Sequence, residues 1–142
     1  MITNITKAEE YYTLIGQKNK EDVKKFLDDK VEFKSPLAQI KGKQAVVSAT
    51  CNFMDALTAL RIRAKFAAED KALIVYDVDL PGIAENFPGV SLLTFRNGFI
   101  VNIELFHDAS LFGRKREEIF SWLIFLIYSF YVFIYKVNLN LF

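Results

Sequence analysis

A single cysteine, Cys51, and a single histidine, His107, stand in a chain of 142 residues. One cysteine makes no internal disulfide and no Cys-x-x-Cys metal or redox centre, so a reducing, cytoplasmic setting is the simpler expectation. One imidazole builds no histidine-rich metal site, and no run of Asp and Glu has the loop spacing of a calcium or magnesium site, so neither metal nor cofactor is expected. Charge of one sign is missing too. The 18 Lys plus Arg against 17 Asp plus Glu leave a net +1, whereas nucleic-acid surfaces usually carry a clear basic excess. There is no phosphate-cradling glycine loop, no HExxH and no GxSxG elbow. Met1–Lys7 holds no apolar signal region, so no export is expected and the Asn4-Ile5-Thr6 sequon carries no weight.

What is present is a change of period along the chain. Thr6-x-x-Glu9 has the spacing of a capping box, and Ala8, Tyr11, Tyr12, Leu14 and Ile15 follow at helical intervals until Gly16. Asn19 offers a cap for a short second helix with Val23, Phe26 and Leu27 on its apolar side. Val31-Glu-Phe33 predicts a brief strand ending before Pro36. A third helix is predicted from about Lys43 to Leu60, turning Val46, Val47, Thr50, Phe53, Met54 and Leu57 inward.

From Arg61 the period falls to two. Ile62, Ala64 and Phe66 alternate with Arg61, Arg63 and Lys65, which predicts one buried and one wet face. Ala72, Ile74, Tyr76, Val78 and Leu80 form the core side of the next strand, leaving Asp77 and Asp79 toward solvent or a dimer partner. A loop is expected from Pro81-Gly82 to Pro88-Gly89. Val90–Phe95 and Phe99–His107 then flank Asn97-Gly98, the signature of a type I′ hairpin turn. Helices followed by strands predict an α+β fold.

This element order, with Tyr11-Tyr-Thr-Leu-Ile-Gly, Lys34-Ser-Pro36, Lys41-Gly-Lys-Gln-Ala45 and Val101-Asn-Ile-Glu-Leu-Phe-His-Asp108, resembles the nuclear transport factor 2-like superfamily. That superfamily includes the SnoaL-like polyketide cyclases and the ketosteroid isomerases. The resemblance spans about Thr6 to Phe112. It implies three N-terminal helices on a strongly curved antiparallel sheet, a cone with one pocket, and often a homodimer through the outer sheet face. Counted as in the ketosteroid isomerases, the oxyanion-donating tyrosine falls on Tyr11. The general-base aspartate falls on Ser35, and the second donor, an aspartic acid, falls near Ser91 or Leu92. The tyrosine is kept and both acids are not, which speaks against isomerisation by that route, because a serine hydroxyl is no base near neutral pH.

Three function classes stay open. The leading one is binding of a small apolar molecule in the cone, with Ser35, Phe53, Leu57, Tyr76, Ile103 and Leu105 lining the pocket. The second is an acid/base enzyme, a cyclase, isomerase, dehydratase or hydrolase. There Tyr11 would stabilise an oxyanion and His107, on the parity of Ile103 and Leu105, would move a proton, with Asp108 able to turn toward it. The third is a dimeric scaffold or interaction domain. The end of the chain is compositionally different: residues 122–142 hold eight aromatics and one charge, Lys136. A domain over residues 1–121 and a separate tail over 122–142 are therefore expected. The tail reads either as a non-native extension or as a membrane anchor, which would place the domain on the cytoplasmic face, with packing against the domain or a dimer as a third reading.

Overall fold

Thr3 opens the first helix, α1 (Asn4–Gly16), its hydroxyl accepting from the Thr6 amide at 3.4 Å and so satisfying one of the donors that a helix start leaves orphaned. The cap is thus Thr3 and not Thr6, and Glu9, the other half of the expected capping box, pairs with Lys65 on the sheet. Asn19 caps α2 (Lys20–Val23) by accepting from the Asp22 amide at 3.0 Å. A 3-10 turn over Lys24–Phe26 then delivers the chain into β1 (Leu27–Lys34). After β2 (Gln39–Lys41) comes α3 (Lys43–Ala56), which stops short of the expected Leu60 because Leu57 is already extended and the next strand begins at Ala59. The rest is a meander of β3 (Ala59–Ala68), β4 (Lys71–Leu80), β5 (Ala84–Arg96) and β6 (Phe99–Phe106). The computed structural model describes residues 3–110. It divides the chain into two units, Met1–Asp108 and Ala109–Phe142, and every element named belongs to the first. The tail at 122–142 lies outside the described residues.

The six strands form one sheet in the order β2-β1-β6-β5-β4-β3, antiparallel except for the parallel pair β1 and β6. The ends of that order do not meet, so the sheet is curved but unclosed. Register shifts between Ile62 and Ala64, Val78 and Leu80, and Thr94 and Phe95 supply bulges, the usual source of such bending. The expected α+β class, three helices on a curved sheet, is what the chain adopts. α1 covers β3 and β4, and α3 covers β1. Beneath them lie Ala72, Ile74, Tyr76 and Val78 of β4, Leu93 and Phe95 of β5, and Ile100 and Ile103 of β6, all buried.

Two strands depart from expectation for physical reasons. In β3 the pairs run Ile62 with Tyr76, then Ala64 with Val75. Arg63 is therefore an extra residue, and beyond it the faces exchange. Lys65 sits on the helix side opposite Ile74, while Phe66 sits on the outer side opposite Leu73 and is 63% exposed, not buried. Arg61 and Arg63 do not wait for a partner copy. Arg61 forks onto both oxygens of Asp79 at 2.9 Å, and Arg63 reaches Asp77 at 3.4 Å, all within the chain. β5 begins at Ala84, so most of the expected loop is strand. Pro88 is tolerated there because β6 pairs with β5 only as far as Val90, which leaves the preceding residues of β5 without a β6 partner.

Candidate functional site

Neighbouring tyrosines on α1 reach different layers. Tyr12 points at the sheet and donates its hydroxyl hydrogen to Ser91 Oγ at 2.6 Å, and the Tyr76 hydroxyl lies 3.3 Å from the same oxygen. The Tyr12 and Tyr76 rings stack tilted at 4.9 Å. Each hydroxyl has one proton to give and lone pairs to accept, so the three satisfy one another in a small cluster. Ser91 is the fully buried polar side chain of the described core, at 0% exposure. Its position follows from register: β5 turns Phe87, Gly89, Ser91 and Leu93 inward, facing Val78, Tyr76, Ile74 and Ala72 of β4.

Gly89 makes room for this arrangement. It pairs directly with Tyr76, and a Cβ there would stand 3.0 Å from the phenol ring. Tyr11 turns the other way. Its hydroxyl lies 3.5 Å from Thr50 Oγ1 on α3, and since Thr50 gives its own proton to the Val46 carbonyl at 2.8 Å, Tyr11 is the donor. Its ring meets Tyr12 edge-on at 5.4 Å and Phe26 at 6.1 Å.

Burial governs the electrostatics. It pushes the Tyr11 phenol up to about 12, raises Tyr12 well above its ordinary value, and raises Tyr76 as well. All three are neutral hydrogen-bond donors near pH 7, and none is a base.

The remaining sequence candidates divide into those the fold places beside this cluster and those it does not. Leu105 pairs with Ser91 and Ile103 with Leu93, on the same inner face. Leu57 is fully buried and Phe53 half-buried on the α3 side. Ser35 instead serves the turn between β1 and β2, its hydroxyl accepting from the Leu37 and Ala38 amides at 3.2 and 3.1 Å. His107 follows β6 directly and is half-buried, with its ring 5.8 Å from inward-facing Phe87. Asp108 is exposed. Among the described residues no group of three His, Cys, Asp or Glu is placed to hold a metal, and no helix is long and apolar enough to cross a membrane. One surface groove, about 430 Å³, runs between α1, the Phe26 turn and the β5–β6 hairpin. Another, about 550 Å³, lies at the start of α3.

Tyr12 and Thr50 stand in the sequence reading only as positions on helix faces and not as site candidates. Tyr12 had a signal: a serine and a glycine interrupt the large inward side chains of β5, leaving space and a hydroxyl for an aromatic partner with a polar tip.

Comparison with curated proteins gives no match. Solved structures share the fold at low identity. A nuclear transport factor 2-like protein from Cytophaga hutchinsonii is 16% identical with a TM-score of 0.68, covering 78% of this chain and 94% of its own. A candidate ketosteroid isomerase from Kribbella flavida is 17% identical with a TM-score of 0.66, over 72% and 76% of the two chains. A candidate polyketide cyclase from Sinorhizobium meliloti is 14% identical with a TM-score of 0.64, over 70% and 92%. The family model of the SnoaL-like domain matches residues 8–103. That span holds α1 from Ala8 onward, the Tyr12–Ser91–Tyr76 cluster and the sheet as far as Ile103 of β6, and the chain belongs to the SnoaL-like domain family.

Proposed function

We propose that the chain binds a small, flat, apolar molecule bearing one hydrogen-bond-accepting oxygen, on the inner face of the sheet beneath α1. The observation that carries this reading is the hydroxyl cluster of Tyr12, Ser91 and Tyr76, set in an otherwise apolar core. Buried polar groups cost stability unless paired, and three protonated donors on aromatic walls are suited to exchange a mutual bond for one to a carbonyl or phenol oxygen. The test is binding of a fluorescent naphthyl ketone to the full chain. Tyr12→Phe and Ser91→Ala should each weaken it, by about 0.5–1.5 kcal/mol for one neutral hydrogen bond. An affinity that ignores both substitutions would sink the reading.

The second reading is catalytic and is favoured by the two relatives whose names propose isomerase and cyclase activity. In it the His107 imidazole takes a proton from the carbon beside a carbonyl and the electron pair moves onto the carbonyl oxygen. A tyrosine hydroxyl steadies that oxygen, and His107 returns the proton. Exchange of solvent deuterium into the ketone, lost in His107→Gln, is the corresponding measurement. For the partner, we propose a second copy seated on the outer sheet face. Its support is two apolar rows, Phe66, Leu73 and Leu92, and Ala64, Val75, Val90 and Phe106, since the charges of this face are paired within the chain.

A further inference from the structure

We propose that the groove over Phe26 is the entrance through which the ligand reaches the tyrosine layer, and that Phe26 is the side chain that admits it. The inference rests on the binding reading above. Tyr11 is 2% exposed and stands behind Phe26, the two rings meeting edge-on at 6.1 Å. Phe26 is half-buried and lines the 430 Å³ groove together with Leu14 and Phe99, the latter 46% exposed. One aromatic ring therefore stands between a solvent-open groove of mixed lining and the first of the stacked tyrosines. Tyr11 continues to Tyr12, and Tyr12 to Ser91 and Tyr76, so the groove and the hydroxyl cluster are joined by continuous aromatic surface.

The backbone under Phe26 is built to yield. Phe26 ends the 3-10 turn that continues α2, where hydrogen-bond geometry is poorer than in an α-helix. Immediately after it the ladder between β1 and β6 breaks. Leu27 pairs with Ile100, but the next pair joins Glu32 to Asn102, so a stretch of β1 has no matching stretch of β6. Local openings favour segments with few ladder bonds. Val23 and Leu27 on either side are buried and fix the ends of the turn, whereas Phe26 itself is half-buried and the Lys25 to Asp22 contact beside it, at 2.6 Å, is exposed and cheap to break in water. The polar part of the lining, Lys7, Glu10, Asp22 and Lys25, keeps the groove wetted, while Leu14, Phe26 and Phe99 offer apolar surface to a flat molecule.

Stopped-flow mixing of the full chain with the naphthyl ketone Prodan tests this. Phe26→Ala should raise the association and dissociation rates together, by roughly tenfold, and Phe26→Trp should lower both, with Kd moving by less than about threefold, since gating changes rates and not the bound state. Phe26→Leu should fall between and serves where Phe26→Ala does not fold. Rates that stay within about twofold of the parent in folded Phe26 variants, while Tyr12→Phe still weakens binding, overturn the entrance alone. Binding that ignores Tyr12→Phe and Ser91→Ala overturns the site reading, and the entrance with it.

Discussion

Replacing the Ser91 hydroxyl by hydrogen takes the acceptor from Tyr12 and the neighbour from Tyr76 in one step. A buried donor left without a partner costs about 1–3 kcal/mol, more than one net hydrogen bond contributes. Ser91→Ala should therefore lower stability in urea by that amount and Tyr12→Phe by less. The double variant should fall short of the sum, because both remove the same bond; strict additivity would mean that the contact carries no energy. The same burial sets an alkaline limit. Tyr11 ionises near 12 in the fold against about 10 in the unfolded chain. Its contribution is whole below pH 10 and disappears as pH rises through 12, a loss of about 3 kcal/mol at roughly 1.4 per pH unit. Circular dichroism across pH 9–13 should show unfolding that begins above pH 10. Asp79 works in the opposite direction: the Arg61 guanidinium holds it down to about 2, so its share is present above the ordinary carboxylate range and is lost as pH falls from about 4 toward 2. Arg61→Gln should weaken that acid-side dependence, leaving the part that the Asn86 amide supplies through its 2.8 Å bond to Asp79.

Elements were legible where a residue type dictates backbone geometry and illegible where tertiary pairing decides. Asn97 and Gly98 have φ of 52° and 81°, the two positive angles that the Asn-Gly dipeptide announces. Gly98→Ala adds strain there and places a Cβ 2.8 Å from Lys7 Nζ, which donates to the Gly98 carbonyl; it should cost about 1 kcal/mol, read as a shift in urea midpoint at constant slope. The β3 bulge has no such marker. Arg-Ile-Arg-Ala-Lys-Phe alternates without flaw, and only the pairing with β4 makes Arg63 the extra residue, which is why Phe66 reads as core and lies outside. Val23, Phe26 and Leu27 share one helical side in the sequence, yet Leu27 opens β1, because its pairing with Ile100 of β6 decides the backbone there. The candidate site was half legible for the same reason. Tyr76, Ile103 and Leu105 follow from parity alone, whereas choosing Tyr12 over Tyr11 as the partner of Ser91 depends on how α1 rotates over the sheet, and periodicity fixes a helix face only to within about a residue.

At the scale of the whole molecule, the outer sheet face must be reconciled with water. Phe66 and Phe106 are 63% and 48% exposed, and between them Leu73, Val75, Val90 and Leu92 continue the apolar rows across four strands. A contiguous apolar patch of this kind on a sheet marks an interaction surface more often than a solvated one. The ion pairs Arg61 with Asp79 and Arg63 with Asp77 lie beside the patch, and being satisfied within the chain they form a polar rim and not the adhesive centre. A two-fold axis through the patch lets the same rows meet themselves, as an isologous contact requires. The full chain should sediment as a dimer at about 10 µM, a concentration well above the dissociation constants typical of interfaces near 1,600 Å². Phe66→Glu together with Leu92→Lys should yield monomers with an unchanged far-ultraviolet spectrum, because both side chains point away from the core. Charge swaps at Arg61 and Asp79 should alter acid stability and leave the association state alone. A strict monomer in the parent chain, or a dimer untouched by Phe66→Glu and Leu92→Lys, would remove the second copy from this face.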